Sequence, residues 1–142
     1  MGAQETILIV EDEAGPRAAL RMILKPIYEI HMASDGNNAL EVIRNQNIDL
    51  VTLDLKMPGL SGIDVLKEIR RIKPDVEVVI ITAEGSLANA NLAIQSGASD
   101  FISKPFHVTE VITTIRKSIE RRNARLKLKY LLGQTKDSSM IP

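Results

Sequence analysis

Five short apolar runs, each followed by a turn and then by a stretch with helical spacing, constrain this chain more than any other feature. They are Ile7-Leu8-Ile9-Val10, Tyr28 to Met32, Ile48 to Leu53, Val76 to Ile81, and Phe101-Ile102. The first, third and fourth are nearly continuous in hydrophobicity, the pattern of strands buried on both faces of a parallel sheet. The second alternates, with Glu29 and His31 set against Ile30 and Met32, which suits an edge strand. Strands alternating with helices imply right-handed crossovers, and a parallel sheet must be covered on both sides. The expectation is an α/β fold, a three-layer (βα)5 doubly wound parallel sheet. A length of 142 residues leaves room for one core and a short appendage.

Helix punctuation is legible between the runs. Pro16 fits the first turn of helix one, whose inward stripe would be Leu20, Ile23, Leu24 and Ile27. Ser61 followed by Asp64 reads as a capping box opening helix three, with Val65, Leu66 and Ile69 facing the sheet. Ser86 would cap helix four and Gly97 would end it in a left-handed conformation. Helix four has low propensity at Asn89, Asn91 and Ser96, with Leu87, Ala90 and Ile94 as its apolar stripe. Helix five starts near Val108, serves the core through Val111, Ile112, Ile115 and Ile119, and continues in a sparser stripe of Leu126, Tyr130 and Leu131.

Charge narrows the function. Eighteen basic residues balance eighteen acidic ones, so no global cationic field advertises nucleic-acid or membrane binding. Residues 116–129 do carry seven basic side chains and one acidic one, read here as a solvated helix end whose cations complement the helix dipole rather than as a nucleic-acid arm. The chain has no cysteine, which excludes disulfides, cysteine-ligated zinc and thiol chemistry. Met1 to Thr6 include Glu5 and lack a basic stretch ahead of a long apolar core, and no apolar run approaches about 20 residues. A cytoplasmic protein without membrane contact is the expectation. His31 and His107 lack a second ligand at useful spacing and read as surface or satisfied histidines.

Polar residues that a core strand would not choose stand at the carboxyl ends of four runs: Glu11-Asp12, Asp54, Thr82 and Ser103-Lys104. In an open α/β sheet, ligands bind beyond that edge, so these groups should meet there. Two carboxylates about 4 Å apart repel by about 4 kcal/mol at an effective dielectric near 20. Three of them need raised proton affinities or a cation, and an all-oxygen site suits Mg²⁺. Lys104 supplies one charge and Thr82 a neutral hydroxyl donor. Together these groups describe phosphoryl transfer, with Asp54, between Leu53 and Leu55, as the candidate nucleophile.

At these residues the chain resembles the response-regulator receiver domains of two-component signalling, a flavodoxin-like fold shared with the chemotaxis Y protein. The matching stretches are ILIVED at 7–12, LVTLDLKMPGLSG at 50–62, VVIITAEGS at 78–86 and GASDFISKPF at 97–106. The resemblance implies strand order 2-1-3-4-5, with residues 1–122 as the receiver domain and 123–142 as a helical extension or linker with a frayed tail from Gly133. It implies that Asp54 accepts a phosphoryl group from a histidine kinase, a phosphotransfer protein or a small phosphodonor. Asp12, Asp54 and the backbone carbonyl of Lys56 would bind Mg²⁺, with Glu11 acting through water. Lys104, before a cis peptide to Pro105, would contact the acyl phosphate. Thr82 and Phe101 would relay occupancy to the surface of helix four, strand five and helix five. That surface or the C-terminal helix would meet a downstream partner, an output domain or a second copy. The acidic pair is Glu11-Asp12 where the family has Asp-Asp, and position 101 is phenylalanine, without a phenolic hydroxyl.

Two other readings stay open on the residues alone. One is a Mg²⁺-dependent phosphatase working through an aspartyl intermediate, although Lys56 stands where such enzymes carry a second acid. The other is a constitutive interaction module with an idle site. The resemblance further places Lys56 and Glu84, each two positions beyond a site residue, over the mouth of the site, where their opposite charges are expected to pair.

Overall fold

A computed structural model describes residues 4–139, with side chains through residue 134. Five strands alternate with five helices: β1 Thr6–Val10, α1 Ala14–Leu24, β2 Glu29–Ala33, α2 Gly36–Asn45, β3 Leu50–Leu53, α3 Gly62–Ile72, β4 Glu77–Thr82, α4 Leu87–Gln95, β5 Asp100–Ser103 and α5 Val108–Ser139. All strand pairs are parallel and lie in the order β2-β1-β3-β4-β5. Every residue of β1, β3 and β4 is buried, as continuous apolar runs require, whereas β2 at the edge exposes Glu29 and Met32.

The pleat splits the interior into two layers. Leu8, Val10, Val51, Leu53, Val78 and Ile80 face α2, α3 and α4 through Leu40, Ile43, Leu66, Ile69 and Ala93. Ile7, Ile9, Leu50, Val79, Ile81 and Ile102 face α1 and α5 through Leu20, Leu24, Val111, Ile115 and Ile119. Ser61 and Ser86 cap as expected, their hydroxyls accepting from the N–H groups of Asp64 (3.2 Å) and Asn89 (3.1 Å), but the return bond from Asp64 that would complete the capping box at Ser61 does not form. Asp35 also caps α2 by accepting from Asn38 N–H at 2.8 Å, a feature the sequence reading did not single out.

Four further expectations need correction. Helix α1 ends at Leu24 because Pro26 has no N–H to continue it, so Ile27 falls outside the helix and is exposed. Ala93 is the buried residue of α4. At about 100° per residue, this phase turns Leu92 and Ile94 to either side and Leu87 away. These three are 44%, 49% and 77% exposed, and the expected Leu87–Ala90–Ile94 stripe is not the packed face. Gly97, at φ +108°, closes α4 as anticipated.

Helix α5 runs through Gly133 to Ser139, past the point where a frayed tail was expected; Met140 to Pro142 lie outside the described residues. Its basic segment is not simply solvated. Arg122 pairs with Asp49 at 2.9 Å and Arg125 with Glu77 at 2.6 Å, while Lys129 lies 3.7 Å from Asp75. Leu126 is half-buried, and Tyr130 and Leu131 are exposed.

Ile69 is fully buried between α3 and the sheet, so Ile69→Ala should lower unfolding free energy by about 2–5 kcal/mol. Met22→Ala, on an exposed side chain, should change it by less than about 0.5 kcal/mol. Urea unfolding of the two variants checks the contrast. Burial, aided by the charges of Glu5 and Glu120 and opposed by Arg116, pushes the Tyr28 phenol up. The folded chain then holds that proton more tightly than the unfolded chain. The resulting stability is present below about pH 10, the ordinary phenol value, and is lost as pH rises through the folded value. Tyr28→Phe should flatten the alkaline limb of the pH–stability profile, and an unchanged limb would contradict this assignment.

Candidate functional site

Each acid, hydroxyl and ammonium group proposed from sequence lies at or just beyond the carboxyl end of a strand, while Phe101 lies within β5, and the sheet fixes where. Backbone bonding continues the ladder past the strands. Glu11 N–H donates to Ala33 at 3.1 Å, Asp54 N–H to the Val10 carbonyl at 3.2 Å and Lys104 N–H to the Thr82 carbonyl at 2.9 Å. Because β1 lies between β2 and β3, and β4 between β3 and β5, these ends converge on one crevice.

The side chains meet there. One carboxylate oxygen from each of Glu11, Asp12 and Asp54 lies within 4.8 Å of the others. Lys104 Nζ donates to Glu11 Oε1 and, at 2.9 Å, to Asp54 Oδ2. Thr82, fully buried, donates its hydroxyl to Asp54 Oδ1 at 2.7 Å, and the Lys56 N–H donates to the same oxygen at 3.0 Å. The Thr82 hydroxyl in turn accepts from Glu84 N–H at 3.2 Å, and Glu11 Oε2 accepts from Glu13 N–H at 3.1 Å. Phe101 is half-buried against the α4 layer, next to Ile80 in the ladder.

Three supports were not read from sequence or were only hinted at there. Arg17 reaches back from α1 to the carbonyls of Glu11 (3.0 Å) and Asp12 (3.3 Å), pinning the loop that carries both acids. Gly62, the first residue of α3, donates its N–H to Leu55 at 3.2 Å. A Cβ there would lie 2.6 Å from the Asp54 carbonyl oxygen and 2.5 Å from Leu55 Cα, so only glycine lets the loop close this tightly behind Asp54. The Met57-Pro58-Gly59 turn is completed by Gly59 at φ +78°. Lys56 and Glu84 are both exposed and, among the described residues, form no ion pair. An exposed pair worth at most about 1 kcal/mol has little to hold it together. His31 lies on edge strand β2 and His107 is exposed ahead of α5, and among the described residues neither joins a cluster of possible metal ligands.

The electrostatics divide the acids. Burial works to raise Asp54, but hydrogen bonds from Lys104, the Lys56 N–H and Thr82 outweigh it and hold the carboxyl below its ordinary value. For Glu11, burial prevails over the bonds from Lys104 and Glu13, and the charge of Asp54 adds to it, so its proton affinity rises. Burial would lower Lys104, yet its bonds to Glu11 and Asp54 raise it, so it stays a cation. Three carboxylates facing one ammonium leave a formal excess of two negative charges. A divalent cation balances that excess, and an all-oxygen donor set matches a hard ion. Beside the acids, Gly15, Pro16, Ala19, Ala83, Pro105 and Phe106 line an apolar hollow of about 500 Å³ that reaches Lys104.

Comparison with known proteins agrees with this arrangement. Residues 7–116 match the response regulator receiver domain family. The chain is 39% identical over 113 residues to the chemotaxis protein CheY of Thermotoga maritima, covering 78% of this chain and 94% of that protein. It is 36% identical over 114 residues to sporulation initiation phosphotransferase F of Bacillus subtilis, covering 80% and 92%. Longer regulators match too, and of two of them the chain spans 26% and 50%. A solved signal receiver domain of a putative LuxO repressor from Vibrio parahaemolyticus superposes with a TM-score of 0.82 at 32% identity, covering 92% of this chain and 98% of that one. With the strand order, the gathered acids and the family match in agreement, the chain belongs to the response regulator receiver domain family.

Proposed function

We propose that this chain is a phosphorylation-dependent switch of a two-component system in which Asp54 is the phosphoacceptor. The observation that carries the reading is Asp54 itself. Its carboxylate is buried at the carboxyl edge, kept ionised by Lys104, Lys56 N–H and Thr82, and placed beside Glu11 and Asp12. An ionised, positioned carboxylate is what in-line attack on phosphorus needs. One Asp54 oxygen attacks, an O–P bond forms, and the bond from phosphorus to the donor breaks. The electron pair leaves on the donor, a kinase or phosphotransfer imidazole or the carboxylate of a small acyl phosphate.

Asp12, Asp54 and the Lys56 carbonyl would hold Mg²⁺, with Glu11 one water further out. When bound, Mg²⁺ neutralises charge on the phosphoryl oxygens. The protein supplies the rest. Lys104 is already directed at Asp54 and gives a second cation for the transferred group. Thr82 now spends its hydroxyl on Asp54 Oδ1 and would redirect it to a phosphoryl oxygen. That shift at the end of β4 would free room for Phe101 to turn inward and alter the α4–β5–α5 surface. Inverting a 1:99 population requires phosphate to favour the active state by about 5.5 kcal/mol.

Residues 1–122 form the receiver in this reading, and 123–142 a helical extension or linker to an output or partner. Pairing of two copies through α4–β5–α5 or through α5 belongs to the same reading, as do a cytoplasmic setting and the absence of direct nucleic-acid contact. No helix among the described residues is long and apolar enough to cross a membrane. Exposed Lys56 supplies no second acid two positions after Asp54, which favours a switch over a turnover phosphatase.

Incubation with acetyl phosphate and Mg²⁺ should add one phosphoryl mass to the wild type, none to Asp54→Ala, and none when Mg²⁺ is chelated. Stoichiometric labelling of Asp54→Ala would overturn the assignment. Gly62→Ala, which pushes on the Asp54 carbonyl, should slow labelling by about 10- to 100-fold while leaving Asp54 the labelled residue. A time course by mass spectrometry distinguishes this from an unchanged rate.

A further inference from the structure

At the amino-terminal edge of the sheet, opposite the acids, a third buried carboxylate has more cations around it than it uses. Glu77 begins β4 and is buried. One oxygen accepts from the Ser99 hydroxyl in the turn between α4 and β5. The other pairs with Arg125 Nη1 at 2.6 Å, and Arg125 Nη2 also reaches the Asp75 carbonyl at 3.4 Å. Arg125 stands on α5 six residues past Ile119, the last buried apolar residue described on that helix. It is half-exposed, whereas the Glu77 side chain is 8% exposed.

A second guanidinium lies close by. Arg70, in the last turn of α3, runs beneath the turn after α4. A Cβ on Gly97 would lie 2.6 Å from its Cδ, so the missing side chain at 97 makes its channel. Arg70 Nη1 donates to the Pro74 carbonyl at 3.3 Å, but Nε and Nη2 are buried with no hydrogen-bond partner. Burial works against its charge, as does the Arg125 guanidinium, while the carboxylates of Glu77 and Asp75 favour it. Buried donors without partners are costly, and a buried carboxylate stripped of its cation is costlier still. Arg70 runs along Gly97, two residues from the Ser99 that holds Glu77, so a guanidinium with unused donors lies on the same turn as a carboxylate already paired with Arg125.

We propose that Arg70 and Arg125 are exchangeable partners of Glu77. The part of α5 beyond Ile119 can then leave the sheet edge, by bending or fraying, without stranding a buried charge. In the docked state Arg125 holds Glu77 and Arg70 keeps its orphaned donors. In the released state Arg70 turns to Glu77 and satisfies them. Of the remaining clasps, Lys129 on Asp75 is exposed and is weakened by salt, whereas Arg122 on Asp49 and the Asp75 carbonyl is partly buried, is screened less and yields only at higher salt. Ser99 ties the exchange to the α4–β5 turn, since its hydroxyl also accepts from Val78 N–H at 3.3 Å. The proposal stands apart from the phosphoryl chemistry at the other edge.

The test is a double-mutant cycle on the full chain by urea unfolding. Arg70→Ala and Arg125→Ala should each lower the folding equilibrium constant by less than tenfold. The double variant should lose at least tenfold more than the product of the two, about 1.4 kcal/mol of coupling. In a Glu77→Gln background that excess should vanish. Simple additivity, or an excess that persists without the carboxylate, would overturn the exchange. A second readout follows docking directly. The chain has no cysteine, so Lys67→Cys with Leu132→Cys gives two unique spin-label sites. The distance between them should be narrow at low salt and broaden as salt rises. Arg70→Ala, which removes the alternative partner, should move that broadening to higher salt. A midpoint unchanged or lowered by Arg70→Ala would refute the proposal.

Discussion

The ammonium of Lys104 is the contact on which the carboxyl edge depends. Glu11 and Asp54 are almost completely buried and face each other across it, with side-chain exposures of 2% and 5%. Removing one member of such an arrangement leaves an uncompensated buried charge, typically worth about 3–5 kcal/mol. Lys104 is placed by backbone: its N–H is bonded to Thr82, and it follows β5 directly. The cation therefore arrives from the far side of β4, at the same point where Thr82 offers its hydroxyl. Two neighbouring strands thus present to Asp54 the groups that keep it ionised.

That arrangement was largely legible beforehand, for a physical reason. A strand buried on both faces carries few carboxylates, hydroxyls or ammonium groups, so Glu11, Asp54, Thr82 and Lys104 stand out at the ends of apolar runs, even though Thr52 and Glu77 are buried within β3 and β4. The parallel sheet puts all carboxyl ends on one edge, which turns a pattern in sequence into a place in space. The caps at Ser61 and Ser86 were legible for a similar local reason, because a cap and its N–H lie three residues apart.

What escaped the sequence depends on long side chains and on helix rotation. Nothing local says that Arg17 turns back to the carbonyls of Glu11 and Asp12, since its reach spans a whole turn and several targets lie in range. Helix α4 carries apolar residues all round, so its packed side is decided by what the sheet edge admits, and that is the small Ala93 rather than Leu87 or Ile94. The basic run on α5 reads as solvated until β3 and β4 place Asp49, Asp75 and Glu77 alongside it, more than 45 residues away in sequence.

The two apolar layers share no residue, although one sheet builds both. Changes in separate layers with no common neighbours combine nearly additively. Substitutions that retune how α5 packs disturb little of the α2–α4 layer, against which Leu55 and Met57 lean beside Asp54. A lineage built on this plan can therefore exchange what its last helix connects to while inheriting an unaltered chemistry.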